Sequence, residues 1–67
     1  MSDHYAALGV APSAPLAEIK KAFRQQAALY HPDRNPSPAA PTRFRAVQQA
    51  YDVLSDPDKR QAYDDDR

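Results

Sequence analysis

The chain has 67 residues, nine basic and nine acidic side chains, no cysteine, and a pI near 6.7. So short a chain forms one domain at most and buries only about 60% of its unfolded surface. The absence of cysteine excludes a disulfide frame and a thiolate metal site, and the balanced charge argues against a dedicated nucleic-acid binder, for which a basic domain is expected.

No apolar run approaches the roughly 20 residues of a membrane span. The opening MSDHYAALGV lacks a basic stretch followed by an apolar one, so no signal peptide is expected. A cysteine-free chain fits a reducing compartment, and the cytoplasm is the expected location. β-Branched residues are few and no segment alternates apolar and polar side chains over a strand length, so the chain reads as all-α.

Asp3 can cap a short first helix ending at Leu8, with Gly9 taking the left-handed conformation that stops it. Ser13 is the candidate cap of a second helix, and Pro15 is tolerated in its first turn. Leu16, Ile19, Phe23, Ala27 and Tyr30 form one apolar stripe, with Lys20, Lys21 and Arg24 off it. Pro32 stops this helix and pushes His31 out of the helical region. The stretch from Pro32 to Pro41 holds four prolines, and nothing in it is suited to packing a core, so it is expected to be exposed. A third helix carries Phe44, Val47, Ala50, Tyr51 and Leu54 on one face. Asp56 then caps a short fourth helix opening with Pro57, with Tyr63 as its apolar anchor and frayed residues after it.

Two long helices joined by a loop of this length are expected to pack as an antiparallel hairpin. The two short helices lie against it. One contiguous core of Tyr5, Leu8, Ile19, Phe23, Ala27, Phe44, Val47, Ala50, Tyr51 and Leu54 is expected. Gln26 borders the stripe and should lie at its rim or find a hydrogen bond.

The hairpin loop begins with His31, Pro32 and Asp33. A helix stop with two solvated side chains is the plainest reading of such a tripeptide. A metal site needs three or four ligands and these supply two, while His4 lies on another helix. Acid–base catalysis needs a pocket and an oriented partner, for which a small helical hairpin has little room. A contact site needs less: Pro32 fixes the backbone, and an ionised Asp33 can accept a forked pair of hydrogen bonds from an arginine. Charge is distributed unevenly, with four basic against two acidic residues over 16–35, two basic residues over 36–51, and six aspartates against three basic residues over 52–67. A basic middle of this kind can steer an acidic partner.

In order along nearly its full length, the chain resembles the J-domain of DnaJ-like co-chaperones. The matching positions are Asp3, Tyr5, Leu8, Gly9 and Val10; Ile19 through Arg24; Tyr30 through Pro36; Phe44, Ala50, Tyr51 and Val53; and Leu54 through Asp64. The resemblance implies a single J-domain over residues 1–67 that binds the ATPase module of a DnaK-type 70-kilodalton heat-shock chaperone and speeds its ATP hydrolysis. It carries over His31, Pro32 and Asp33 as the trigger and Lys20, Lys21 and Arg24 as the docking face, flanked by Tyr30, Arg34 and Asn35. It implies no enzyme activity, cofactor, metal, nucleic acid or membrane, and a monomeric isolated domain. Gln25 and Leu29 stand where many members are basic, and Gln26 where a core leucine is common, so docking is expected to lean less on charge. The chain ends where a J-domain ordinarily ends, so either a domain excised from a longer protein or a minimal J-protein is expected, the first being favoured. A DNA-binding helical module and a purely structural hairpin are the competing readings. The first is disfavoured by a loop longer and richer in proline than a helix-turn-helix allows.

Overall fold

A computed structural model describes residues 3–66. Four helices follow in order: α1 (His4–Leu8), α2 (Leu16–Tyr30), α3 (Ala40–Leu54) and α4 (Pro57–Asp66). The described residues contain no strand. The helices α2 and α3 form the antiparallel hairpin, and α3 is the central element, packing against α1, α2 and α4.

Local chemistry sets most of the boundaries. The Asp3 carboxylate accepts the Tyr5 backbone N–H at 3.0 Å and caps α1. Gly9 closes α1 at φ 73°, where a side chain would be strained, and its N–H returns to the Ala6 carbonyl. His31 is extended (φ −62°, ψ 130°), as a residue before proline must be, and α2 ends there. The Asp56 carboxylate accepts the Asp58 N–H at 2.9 Å and the Lys59 N–H at 3.3 Å, starting α4 at Pro57.

Three expectations need correction. Ser13 does not cap α2: Pro15 occupies the N-cap position and its carbonyl receives the Glu18 and Ile19 N–H groups. The loop is shorter than expected, since Pro41 lies in the first turn of α3 and Ala40 is buried. A proline there costs nothing because first-turn N–H groups have no intrahelical acceptor. The helical backbone of α4 extends through Asp66, and Arg67 lies outside the described residues. The core is also displaced from the expected one. Tyr5, Leu8, Ala14, Ile19, Ala22, Val47, Ala50 and Leu54 form the buried cluster, with Phe23, Tyr51, Val53 and Tyr63 packed on it. Phe44 and Ala27 are half-buried and lie outside that cluster. Both sit toward the loop end of the hairpin, whereas Tyr5 and Leu8 of α1 belong to the buried cluster.

The hairpin is pinned by Phe23 stacked on Tyr51, with ring centroids 4.1 Å apart and planes 19° from parallel. Gln26 is half-buried with its amide nitrogen beside Gly9, and no described polar side-chain atom is buried without a partner. It occupies the rim position.

The docking of α4 is largely polar. None of its residues is fully buried. The Arg60 guanidinium donates to the carbonyls of Ala14 (2.6 Å) and Pro12 (3.1 Å) and to the Tyr5 hydroxyl (3.2 Å), and it lies 5.6 Å from the Tyr5 ring centroid. The Tyr5 hydroxyl donates in turn to Asp64 at 2.6 Å. Burial, and then that bond to Asp64, raise the Tyr5 pKa above its ordinary value of 10.0. Tyr63 adds a second contact with α1: its hydroxyl accepts the His4 backbone N–H at 3.0 Å, and its ring lies 4.6 Å from the His4 ring.

Candidate functional site

The segment between α2 and α3 is a turn in which the N–H groups of Asp33, Arg34, Asn35, Ser37 and Ala39 all find acceptors. The His31 carbonyl accepts two N–H groups, from Arg34 at 3.0 Å and Asn35 at 2.9 Å. Pro32 holds the second position of the tighter turn, where its fixed φ is favourable. The Asp33 N–H donates to His31 Nδ1 at 3.2 Å. Nδ1 acts there as the acceptor. The 3.7 Å separation of Nδ1 from the Asp33 carboxylate is then a close approach and not a hydrogen bond.

The two side chains differ in freedom. The imidazole is 47% exposed and rests edge-on against Phe44, with ring centroids 5.5 Å apart and planes at 65°. The Asp33 carboxylate is 89% exposed. It is a charged acceptor on a fixed backbone, suited to a forked arginine contact. A shallow groove runs beside the turn, lined by Ala27, Ala28, His31, Asp33, Arg34 and Phe44.

Lys20 and Arg24 are four residues apart and share one face of α2, with Lys21 at its edge. Helical spacing carries that face along the helix to His31. Lys20, Lys21, Arg24 and Arg34 are exposed, and none of them pairs with a carboxylate among the described residues. Among the described residues the basic face is thus unspent. Tyr30 is half-buried one residue before the turn. Asn35 is half-buried, and its side chain faces the loop: Nδ2 donates to the Leu29 carbonyl at 3.2 Å, and Oδ1 accepts the Ser37 N–H at 3.0 Å.

Apart from Tyr30, half-buried at the end of α2, the residues singled out from sequence fall into three groups. His31, Pro32, Asp33 and Arg34 form the turn, and all of them but Pro32 line the groove. Lys20, Lys21 and Arg24 line the approach to it along α2. Asn35 is directed inward. Periodicity placed Phe44 in the core, and nothing in it signals that the ring supports His31; its position four residues into α3, next to the loop, was the available sign. Among the described residues no three His, Cys, Asp or Glu side chains gather closely enough to hold a metal ion, and no helix is long and apolar enough to cross a membrane.

Comparison with known proteins adds an independent line. The family model for the DnaJ domain matches residues 3–64. A chaperone protein DnaJ from Leifsonia xyli subsp. xyli is 58% identical over 64 residues, 96% of this chain and 17% of that protein. A DnaJ-like protein from Synechocystis is 56% identical over 63 residues, 92% of this chain and 19% of that protein. A chaperone protein DnaJ from Chlamydia pneumoniae is 54% identical over 63 residues, 92% of this chain and 16% of that protein. The chain spans less than a fifth of the length of these curated relatives. With His-Pro-Asp in an exposed turn at the end of α2 and the family model matched over residues 3–64, the chain belongs to the DnaJ domain family.

Proposed function

We propose that this domain docks on the ATPase module of a DnaK-type chaperone and speeds its ATP hydrolysis, as a co-chaperone and not as an enzyme. In this reading it acts in the cytoplasm, and the isolated domain is a monomer that needs no cofactor, metal or nucleic acid. Family membership supports the partner class. The observation that carries the reading is the Asp33 carboxylate, 89% exposed on a turn held by hydrogen bonds at both ends, beside a basic face with no carboxylate partner among the described residues. A charged acceptor presented without conformational freedom loses little entropy on binding. Lys20, Lys21 and Arg24 steer an acidic surface toward it.

The test is single-turnover ATP hydrolysis by a DnaK-type chaperone with and without this domain. Wild type should accelerate hydrolysis. Asp33→Asn keeps the shape and removes the charge; it should abolish acceleration while shifting stability by less than about 0.5 kcal/mol. Asp33→Asn is a cleaner probe than a change at His31, whose ring also accepts the Asp33 N–H and packs on Phe44. Lys20→Ala and Arg24→Ala should weaken docking in part, and less so at high salt. A folded Asp33→Asn variant with full acceleration would refute the trigger assignment.

A further inference from the structure

The turn carrying Asp33 is joined to both long helices by a short series of polar contacts that passes through Asn35. The last carbonyls of a helix have no intrahelical donor. Here the shortage is acute. The donor that would continue the helix to the Ala28 carbonyl is Pro32, which has no N–H. The donor that would serve Leu29 is the Asp33 N–H, which is directed to His31 Nδ1 instead. The Asn35 side chain replaces it, with Nδ2 donating to the Leu29 carbonyl at 3.2 Å. The same amide turns its oxygen to the Ser37 N–H at 3.0 Å. Ser37 continues the series into α3: its hydroxyl accepts the Ala39 N–H at 3.3 Å and its carbonyl the Ala40 N–H at 3.0 Å. The Asn35 backbone N–H meanwhile closes on the His31 carbonyl at 2.9 Å. One residue therefore ties the end of α2, the middle of the turn and the approach to α3.

We propose that Asn35 is a positioning residue: it holds the His31–Asp33 turn in its docking conformation and does not itself contact the partner. This rests on the reading of Asp33 as the trigger. Asparagine suits the task because a single planar group donates at one end and accepts at the other. Aspartate retains the acceptor for Ser37 but sets a carboxylate against the Leu29 carbonyl. Alanine loses both bonds. Neither change touches the exposed Asp33 carboxylate or the basic face. A turn that samples other conformations binds more weakly in proportion to the time spent outside the competent one, while the complex, once formed, is unaltered.

The experiment compares wild type, Asn35→Ala and Asn35→Asp in two measurements. In the free domain, backbone order parameters and amide exchange should show loosening at Asp33, Arg34 and Asn35 in both variants, and at Ser37 in Asn35→Ala most of all. Amides in the middle of α2 and α3 should not change. In single-turnover hydrolysis by a DnaK-type chaperone, the domain concentration giving half-maximal acceleration should rise about three- to ten-fold, the size expected for losing one net hydrogen bond. The plateau at saturating domain should stay within about two-fold of wild type. Weaker docking with turn dynamics unchanged would mean that Asn35 is a direct contact and would overturn the proposal. Loss of the plateau, as for Asp33→Asn, would place Asn35 in the trigger and overturn it as well. A wild-type domain that accelerates nothing at any concentration is a different result: it refutes the trigger reading, and this role falls with it.

Discussion

Replacing Arg60 with alanine should destabilise this domain well beyond the usual effect of a change at a half-buried polar side chain. The guanidinium makes three hydrogen bonds, to the Ala14 and Pro12 carbonyls and to the Tyr5 hydroxyl, and lies near the Tyr5 ring. Hydrogen bonds to charged groups contribute about 1.5–3 kcal/mol each when sheltered. Arg60 is half-buried, so solvent discounts the two weaker bonds, and the 2.6 Å bond to Ala14 carries most of the effect. We expect a loss of about 2–4 kcal/mol for Arg60→Ala. Arg60→Lys should recover only part of this, because one ammonium cannot reach Ala14, Pro12 and Tyr5 together. A domain of this size has a total stability of roughly 3–10 kcal/mol. The loss therefore corresponds to a drop in Tm of roughly 10–25 °C, followed by circular dichroism at 222 nm or by calorimetry. A double-mutant cycle with Tyr5→Phe isolates the shared bond and should give a coupling of about 0.5–2 kcal/mol. If Arg60→Ala melts within about 3 °C of wild type, the contacts between Arg60 and the loop are too weak to hold α4, and the account of its docking is wrong.

Phe44→Ala should cost only about 1–2 kcal/mol, below the 3–5 of a core phenylalanine, because the ring is half-buried and outside the main cluster; a larger loss in urea unfolding would show that it belongs to the core after all. Gln26→Leu should be neutral or stabilising by up to roughly 1 kcal/mol, since the amide at the rim gives up no bond; clear destabilisation would reveal a partner. The raised pKa of Tyr5 means that the folded state holds its phenol proton more tightly than the unfolded state. Its contribution is complete below the ordinary value of 10.0 and is lost as pH rises through the higher folded-state value. Tyr5→Phe should flatten stability against pH in that alkaline range, and an unchanged slope would contradict the assignment.

Much of the fold is legible because single residues with strong local preferences mark its boundaries. Asp3, Gly9, Pro32, Asp56 and Pro57 each act within a few residues of themselves, and each boundary falls where its chemistry requires. Ser13 misled because Pro15 already fixes the backbone at the helix start and the proline carbonyl takes over as first acceptor. The core was read less well. Periodicity assigns a side chain to a face but not to a depth along the hairpin, so it groups Phe44 and Ala27 with the buried cluster, which they do not join. Ala14, Ala22 and Ala40 are buried, yet a methyl group gives little signal in an apolar pattern. The His31–Asp33 turn was legible from Pro32 and the family pattern. The roles of Arg60 and Asn35 were not, since polar side chains that bridge elements leave no periodic trace. Arg60 reaches Pro12, 48 positions away.

The contacts from α1 to α4 also determine how the domain responds to force. Tyr5 bonds to Asp64, and His4 to Tyr63, across 59 positions of chain, so the two ends of the described fold lie side by side. Tension applied through those ends reaches this clasp before it reaches the α2–α3 hairpin. Pulled from both ends in an optical trap, the domain is predicted to release α4 in a short first extension and to rupture the hairpin only at higher load. A single rupture without that first step would show that the clasp and the hairpin yield together. While the clasp holds, the turn bearing Asp33 stays outside the loaded path, so a domain tethered at either end keeps its docking surface unstrained.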